Sequence, residues 1–197
     1  MHALWVFVTD CGDSAVTVPL ALLTLVFLIS AGQRRIALAW VLAIGGCAFA
    51  IAVLKLAFGA CGQEMAIARI ASPSGHTALS TAIFGSLALL VGATLSPGRR
   101  AALYFATAVA LVGIAWSRLV LQFHDEAKIA IGFLVGVGGI VGFRAALRRQ
   151  AAPALPLKWL VLCGAVLVVA MHRTRWMVEP IVHRLAWELR FVLPGCR

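Results

Sequence analysis

Two polar stretches hold most of the residues in this chain that could do chemistry. Lys55, Arg69, Ser74, Gly75 and His76 lie in or beside the first, and Arg118, His124 and Lys128 in or beside the second. Long apolar runs flank both. Ionisable groups in or near membrane spans are expensive to keep, so they are read first as functional. Four cations and two histidines in two facing connections make a site for an anion. Pro73-Ser74-Gly75-His76 stands at the start of an apolar run. If that run is a helix, its N-terminus offers free N–H groups and the positive end of the dipole, which suits phosphate. Gly75 would let the backbone come close to an oxyanion.

The elements that must position these residues are membrane helices. The chain has 197 residues, 62% hydrophobic and 12% charged, whereas a soluble domain is roughly 45–50% apolar and about 25% charged. A span needs about 20 apolar residues. This composition therefore excludes a large soluble domain, a disordered tail and a nucleotide-binding sheet. The net charge of +10 does not point to nucleic acid, because the basic residues sit in short gaps between apolar runs. Six runs are expected, at about 15–31, 36–60, 77–95, 101–123, 127–147 and 157–171. The last is short, and Lys158 would snorkel to lengthen it. Lipid offers no partner to an unpaired backbone group, so all six must be helices. The expected fold is an all-α polytopic bundle, with residues 1–171 as one transmembrane domain. Residues 1–14, with Asp10 and Asp13 ahead of the first run, do not form a cleavable signal peptide and are expected at the interface or as an oblique helix start. Residues 172–197 read as an amphipathic helix on the membrane surface, with Trp176 and Trp187 as interface anchors.

Charge sets the expected orientation. With six spans, one side holds Arg34, Arg35, Arg99, Arg100, Arg144, Arg148, Arg149 and Lys158 and no acid. The positive-inside rule puts that side in the cytoplasm, facing anionic phospholipid. All seven acids, all five histidines and both termini then face outward, across an inner (plasma) membrane. Cys47 and Cys163 fall inside spans. Cys11, Cys61 and Cys196 lie on the oxidising side, where one disulfide among them could form without the sequence choosing it. No Cys/His spacing resembles a zinc site, and neither a metal nor another cofactor is expected. The oligomeric state is not legible.

Pro73-Ser74-Gly75-His76, followed by Ser117-Arg118 and then by His124, resembles the type 2 phosphatidic acid phosphatase family. The resemblance covers a core of about residues 50–147. It implies a metal-free phosphoryl transfer through a phosphohistidine, with His124 as nucleophile and His76 as the acid that protonates the leaving oxygen. Arg118, Ser74, the Gly75 N–H and Lys55 would hold the phosphoryl oxygens. The chemistry is sound for these residue types. Neutral imidazole is a good nucleophile near pH 7, a second histidine can supply the proton, and fixed cations stabilise the oxygens.

The chain departs from the family pattern twice. A lysine, six residues, then Arg-Pro is the first family motif, but Lys55 is followed at that spacing by Gly62 and Gln63. Arg69, five residues before Ser74, is either a replacement phosphate ligand or a surface charge. The third motif has an aspartate four residues after the nucleophile, where this chain has Lys128. An ammonium only donates hydrogen bonds and cannot hold the imidazole as a carboxylate does. Lys128 is then a site cation or a snorkelling lysine. Asp125, Glu126 or Asp13 could orient His124 through space, although Asp125 also suits an N-cap and Asp13 a cap or an interfacial charge.

The expected activity is hydrolysis of a phosphomonoester or diphosphate on a membrane lipid, at the outer face. Phosphatidic acid, phosphatidylglycerol phosphate, polyprenyl diphosphate and phosphorylated lipid A are all candidates. Two other readings fit the same residues. One is a lipid phosphotransferase using His124. The other is a headgroup-binding or transport protein that keeps the pocket without turnover.

Overall fold

A computed structural model of the protein describes residues 2–61, 72–150, 155–174 and 179–192, and the described chain is helical. The helices are α1 (His2–Cys11), α2 (Ser14–Ser30), α3 (Arg34–Cys61), α4 (Gly75–Gly92), α5 (Pro97–Val120), α6 (Glu126–Leu147), α7 (Leu157–Met171) and α8 (Glu179–Val192). Five segments are long and apolar enough to cross a membrane, α1 and α2 together making one of them. The protein is thus a multi-pass helical membrane bundle. The sixth run appears as α7 at 15 residues, about 22 Å long, which is shorter than the roughly 30 Å hydrocarbon layer.

Local chemistry sets the helix ends. Asp13 caps α2, its Oδ1 accepting the Ala15 N–H at 2.8 Å. Ser74 caps α4. Pro97 opens α5, where its missing N–H costs nothing. Arg100 closes the far end of α4, donating from Nε to the Gly92 carbonyl at 2.7 Å and from Nη2 to the Leu95 carbonyl at 3.1 Å. One of the basic loop residues therefore also satisfies carbonyls that a helix end leaves open.

The larger buried cluster, toward the cationic end, packs Leu20, Leu28, Ile36, Trp40, Ile83, Leu90 and Phe143 together, and a smaller one joins Cys47, Ile51, Ala78 and Ala82. The Trp40 and Phe143 rings meet edge to face at 5.5 Å, and the Trp40 indole donates to the Ala21 carbonyl. Helix α4 is the most enclosed of the spans, touching α2, α3, α5 and α6. Its approach to α6 is unusually close. A Cβ on Gly136 would stand 2.6 Å from the Ala78 carbonyl and 2.6 Å from Thr81 Cβ, and one on Gly132 would run into the Ser74 carbonyl. Small residues let membrane helices close to backbone contact in this way.

Two expectations about the ends change in detail. Residues 2–11 form a helix packed on α5, with Thr9 and Asp10 buried, because the polar groups there have partners inside the bundle. The C-terminal helix packs on α3, where Ala186 is buried and a Cβ on Gly59 would meet its methyl at 2.7 Å. Ile181, Leu185 and Trp187 remain exposed on it, as an interfacial helix requires. Trp176 lies outside the described residues. Cys61 is disulfide-bonded, while Cys11, Cys47 and Cys163 are free thiols.

Not every α6 glycine serves packing, since a Cβ at Gly138 would meet nothing within 4 Å. Gly136→Leu is expected to destabilise the purified protein by at least about 1–3 kcal/mol, the usual cost of overpacking. Gly138→Leu should leave thermal unfolding in detergent unchanged. Equal effects of the two substitutions would contradict this account of the α4–α6 contact.

Candidate functional site

The site is assembled where the α2, α4 and α6 N-termini meet the α3 and α5 C-termini. Ser74 is fully buried, and its Oγ accepts from the Thr77 N–H and from the Thr77 hydroxyl at 3.0 Å. The Ser74 N–H donates to the Lys128 carbonyl at 3.0 Å. This bond ties the start of α4 to the first turn of α6, and bare Gly132 allows the approach. Lys55 comes from α3. It is 7% exposed, and its Cε would lie 3.6 Å from a Cβ on Gly75. The lysine thus runs along the unhindered backbone that opens α4. A buried ammonium beside a helix N-terminus raises the local preference for an anion.

His76, at the second position of α4, meets a residue from the other side of the bundle. Its Nε2 lies 3.0 Å from Asp13 Oδ2, with side-chain exposures of 25% and 8%. Asp13 therefore uses one oxygen to cap α2 and the other to hold His76. Ser80 donates to the His76 carbonyl at 2.6 Å, fastening the turn below.

Arg118 ends α5. Its Nη1 donates to Thr9 Oγ1 at 3.2 Å, and its guanidinium carbon lies 4.5 Å from the Phe123 ring centroid. The chain then turns back through Gln122, at a φ of +56°, a left-handed conformation more often given to glycine. The Arg118 carbonyl accepts the Phe123 N–H at 3.0 Å and the His124 N–H at 3.4 Å. His124 is half-buried and held directly beside Arg118.

Each of the three acids named as able to orient His124 has a place of its own. Asp125 occupies the N-cap position of α6 without a side-chain cap bond. Its Oδ2 instead takes the Lys128 Nζ at 2.9 Å. The hydrogen bond and charge of Lys128, with His124 adding to them, hold the Asp125 carboxyl below its ordinary value. Glu126 is exposed in the first turn of α6, and Asp13 is on His76. Arg69 lies outside the described residues. Thr9 and Asp10 belong to the same corner and were not legible as site residues. The only sequence signal was two acids placed ahead of the first long apolar run. Gly12 beside them packs hard on Ile114 of α5, its missing Cβ leaving room for Cγ2 at 2.7 Å. The corner brings buried Lys55, half-buried Arg118 and Lys128, a helix start and two imidazoles to one end of the bundle, a set that suits a tetrahedral anion.

A family model described as "PAP2 superfamily" matches residues 57–152. A Klebsiella pneumoniae protein described as "Uncharacterized 22.5 kDa protein in cps region" is 30% identical over 150 residues, 76% of this chain and 72% of that protein. No solved structure matches the chain.

Asp125 and Lys128 form an ion pair whose acid is 72% exposed, so water screens it and its contribution is small. Because the folded carboxyl titrates below its ordinary value, that contribution is present at neutral pH. It is lost as the pH falls through the lowered value. Asp125→Asn should lower the melting temperature slightly at pH 7, and the difference should vanish in strong acid. A difference that grows on acidification would refute the pairing.

Proposed function

The chain belongs to the PAP2 superfamily, and on that premise we propose that it is a membrane phosphatase acting on a lipid phosphomonoester or diphosphate through a phosphohistidine. The observation that carries the reading is the gathering of Ser74, Gly75, His76 and Lys55 around one helix start, with Arg118 and His124 at the same end. Family membership supports phosphatase-type chemistry on a phosphorylated substrate. The lipid, the histidine roles and the outward orientation are our reading.

In this mechanism His124 attacks phosphorus and His76 protonates the departing oxygen. Arg118, Lys55, the Ser74 hydroxyl and the Gly75 N–H carry the charge on the non-bridging oxygens. Fixed donors of this kind need no reorganisation as charge develops. Lys128 adds positive charge near His124 and shares it with Asp125. The eight-cation end faces the cytoplasm and its anionic phospholipid, so the site opens on the opposite side of the inner membrane.

The lipid tail has a place to lie. A groove of about 660 Å³ between α3 and α6 is lined by Leu42, Gly46, Ala50, Val135 and Gly142, with Arg35 toward its far end. It begins about one to two helical turns from Lys55 and Gly132 and leads away from the site. A second apolar groove, of about 430 Å³, is lined mainly by α4, α5 and α7.

Lys128 in place of the family acid is what favours the alternatives, a phosphotransferase or a headgroup-binding protein. Purified protein offered a panel of lipid phosphates should release phosphate, and His124→Ala should reduce that release by several powers of ten, about the scale seen on losing a nucleophile. Release that does not depend on His124 would sink the mechanism. Label passed to a second lipid with no free phosphate would indicate the transferase. Gly142→Leu, at a position where a Cβ meets nothing within 4 Å, should raise KM for the lipid far more than for a soluble aryl phosphate.

A further inference from the structure

The carboxylate that the family places on the nucleophile is absent from its position, yet a buried carboxylate does hold a histidine in this site. It is Asp13, and the histidine is His76. We infer that Asp13 is a positioning residue that fixes His76 with Nε2 turned away from the substrate, so that Nδ1 is the nitrogen that delivers and retrieves the proton. The inference rests on the phosphatase reading above and adds to it a residue outside the matched segment 57–152.

The geometry supplies the reason. An ionised carboxylate only accepts hydrogen bonds, so the contact at 3.0 Å requires the proton on Nε2. Asp13 cannot turn away freely, because its other oxygen accepts the Ala15 N–H at 2.8 Å and its backbone starts α2. His76 is fixed at the other end by its place in the first turn of α4 and by Ser80 on its carbonyl. With Nε2 engaged, Nδ1 is the ring nitrogen left for the ester.

The reaction then balances in two halves. In the first, a lone pair on a His124 nitrogen forms the N–P bond as the P–O bond to the lipid alcohol breaks. The leaving oxygen takes the Nδ1 proton of cationic His76, which becomes the neutral Nε2–H form already bonded to Asp13. In the second, water adds to phosphorus and gives its proton to Nδ1 of His76. The P–N bond breaks, phosphate leaves, and both histidines return to their starting states. Asp13 keeps its own charge throughout and stabilises the imidazolium at each end of the cycle.

Asp13→Asn separates this role from a structural one. Asparagine caps a helix as well as aspartate does, so α2 is kept. The Ala15 N–H can only donate, so it must face the amide oxygen, and the amide NH₂ then points at His76. Nε2 has to accept, and neutral His76 is forced into the opposite tautomer with its proton on Nδ1. The same exchange in a serine-protease triad costs about 10⁴ in kcat. The full chain in detergent, wild type and Asp13→Asn, is assayed with 4-nitrophenyl phosphate and with phosphatidic acid micelles, and nitrophenol is followed through the first turnover. We expect kcat for phosphatidic acid to fall by about 10²–10⁴, the range for loss of an acid–base group, with KM little changed. First-turnover nitrophenol release should fall at least tenfold less, because that leaving group departs without a proton. Equal losses on the two substrates, or a change confined to KM, overturn the inference. A second readout needs no turnover. The ¹⁵N spectrum of the wild type, with His76→Gln for assignment, should show neutral His76 protonated on Nε2, and protonation on Nδ1 overturns the inference. A wild type inactive on both substrates but carrying the Nε2 tautomer refutes the phosphatase reading and leaves the Asp13–His76 pairing standing.

Discussion

The Ser74 amide reaches the Lys128 carbonyl across two helices, and the site exists because those backbones can come that close. One such bond is worth about 1 kcal/mol net. Its importance lies in what it fixes. It sets the start of α4 against the first turn of α6, so that Ser74, Gly75 and His76 share a corner with the segment that follows Arg118. Gly132 and Gly136 remove the side chains that would hold α6 off α4. Lys55 then lies along Gly75, and the same close approach that packs the bundle leaves the helix start open to an anion.

Charge in this protein is placed by the cost of burying it. An ion in low dielectric must be paired or moved to an end. The basic loop residues sit at the ends of spans, and Arg100 uses its position to close the α4 carbonyls. At the opposite end the charges have partners: Asp13 with His76 across two helices, Asp125 with Lys128 within the first turn of α6, and Arg118 with Thr9 and the face of Phe123. The family pattern assigns one carboxylate to the nucleophile. Here Asp13 holds His76, and Asp125, beside His124, pairs with Lys128. The lysine at the third-motif position pairs with the acid three residues before it.

Much of the fold was legible. The run at 157–171 coincides with α7, and the fifth run starts one residue inside α6. Helix existence follows from apolar length alone, because backbone groups in lipid have no other solution. The third run was read from Thr77, whereas α4 begins at Gly75, since the Ser74 cap extends the helix through residues that are not apolar. The histidines, Arg118 and Ser74 were legible as residue types at a spacing. The role of α1 was not, because Thr9 and Asp10 carry no motif of their own and gain meaning only from what packs on them.

The sequence by itself determined that the long apolar runs are helices, that cations gather without acids in the connections of one side, and which residue types stand at the spacing of the family motifs. These follow from composition, period and motif, which are local properties of the chain. Only the tertiary structure decided that Asp13 serves His76. Asp13 and His76 are 63 residues apart, and their meeting depends on α2 and α4 starting at the same end of the bundle. Lys128 and Asp125 are three residues apart and pair within one turn. Partner choice among several acids within reach is set by helix packing at the level of an ångström, and no spacing in the sequence encodes it.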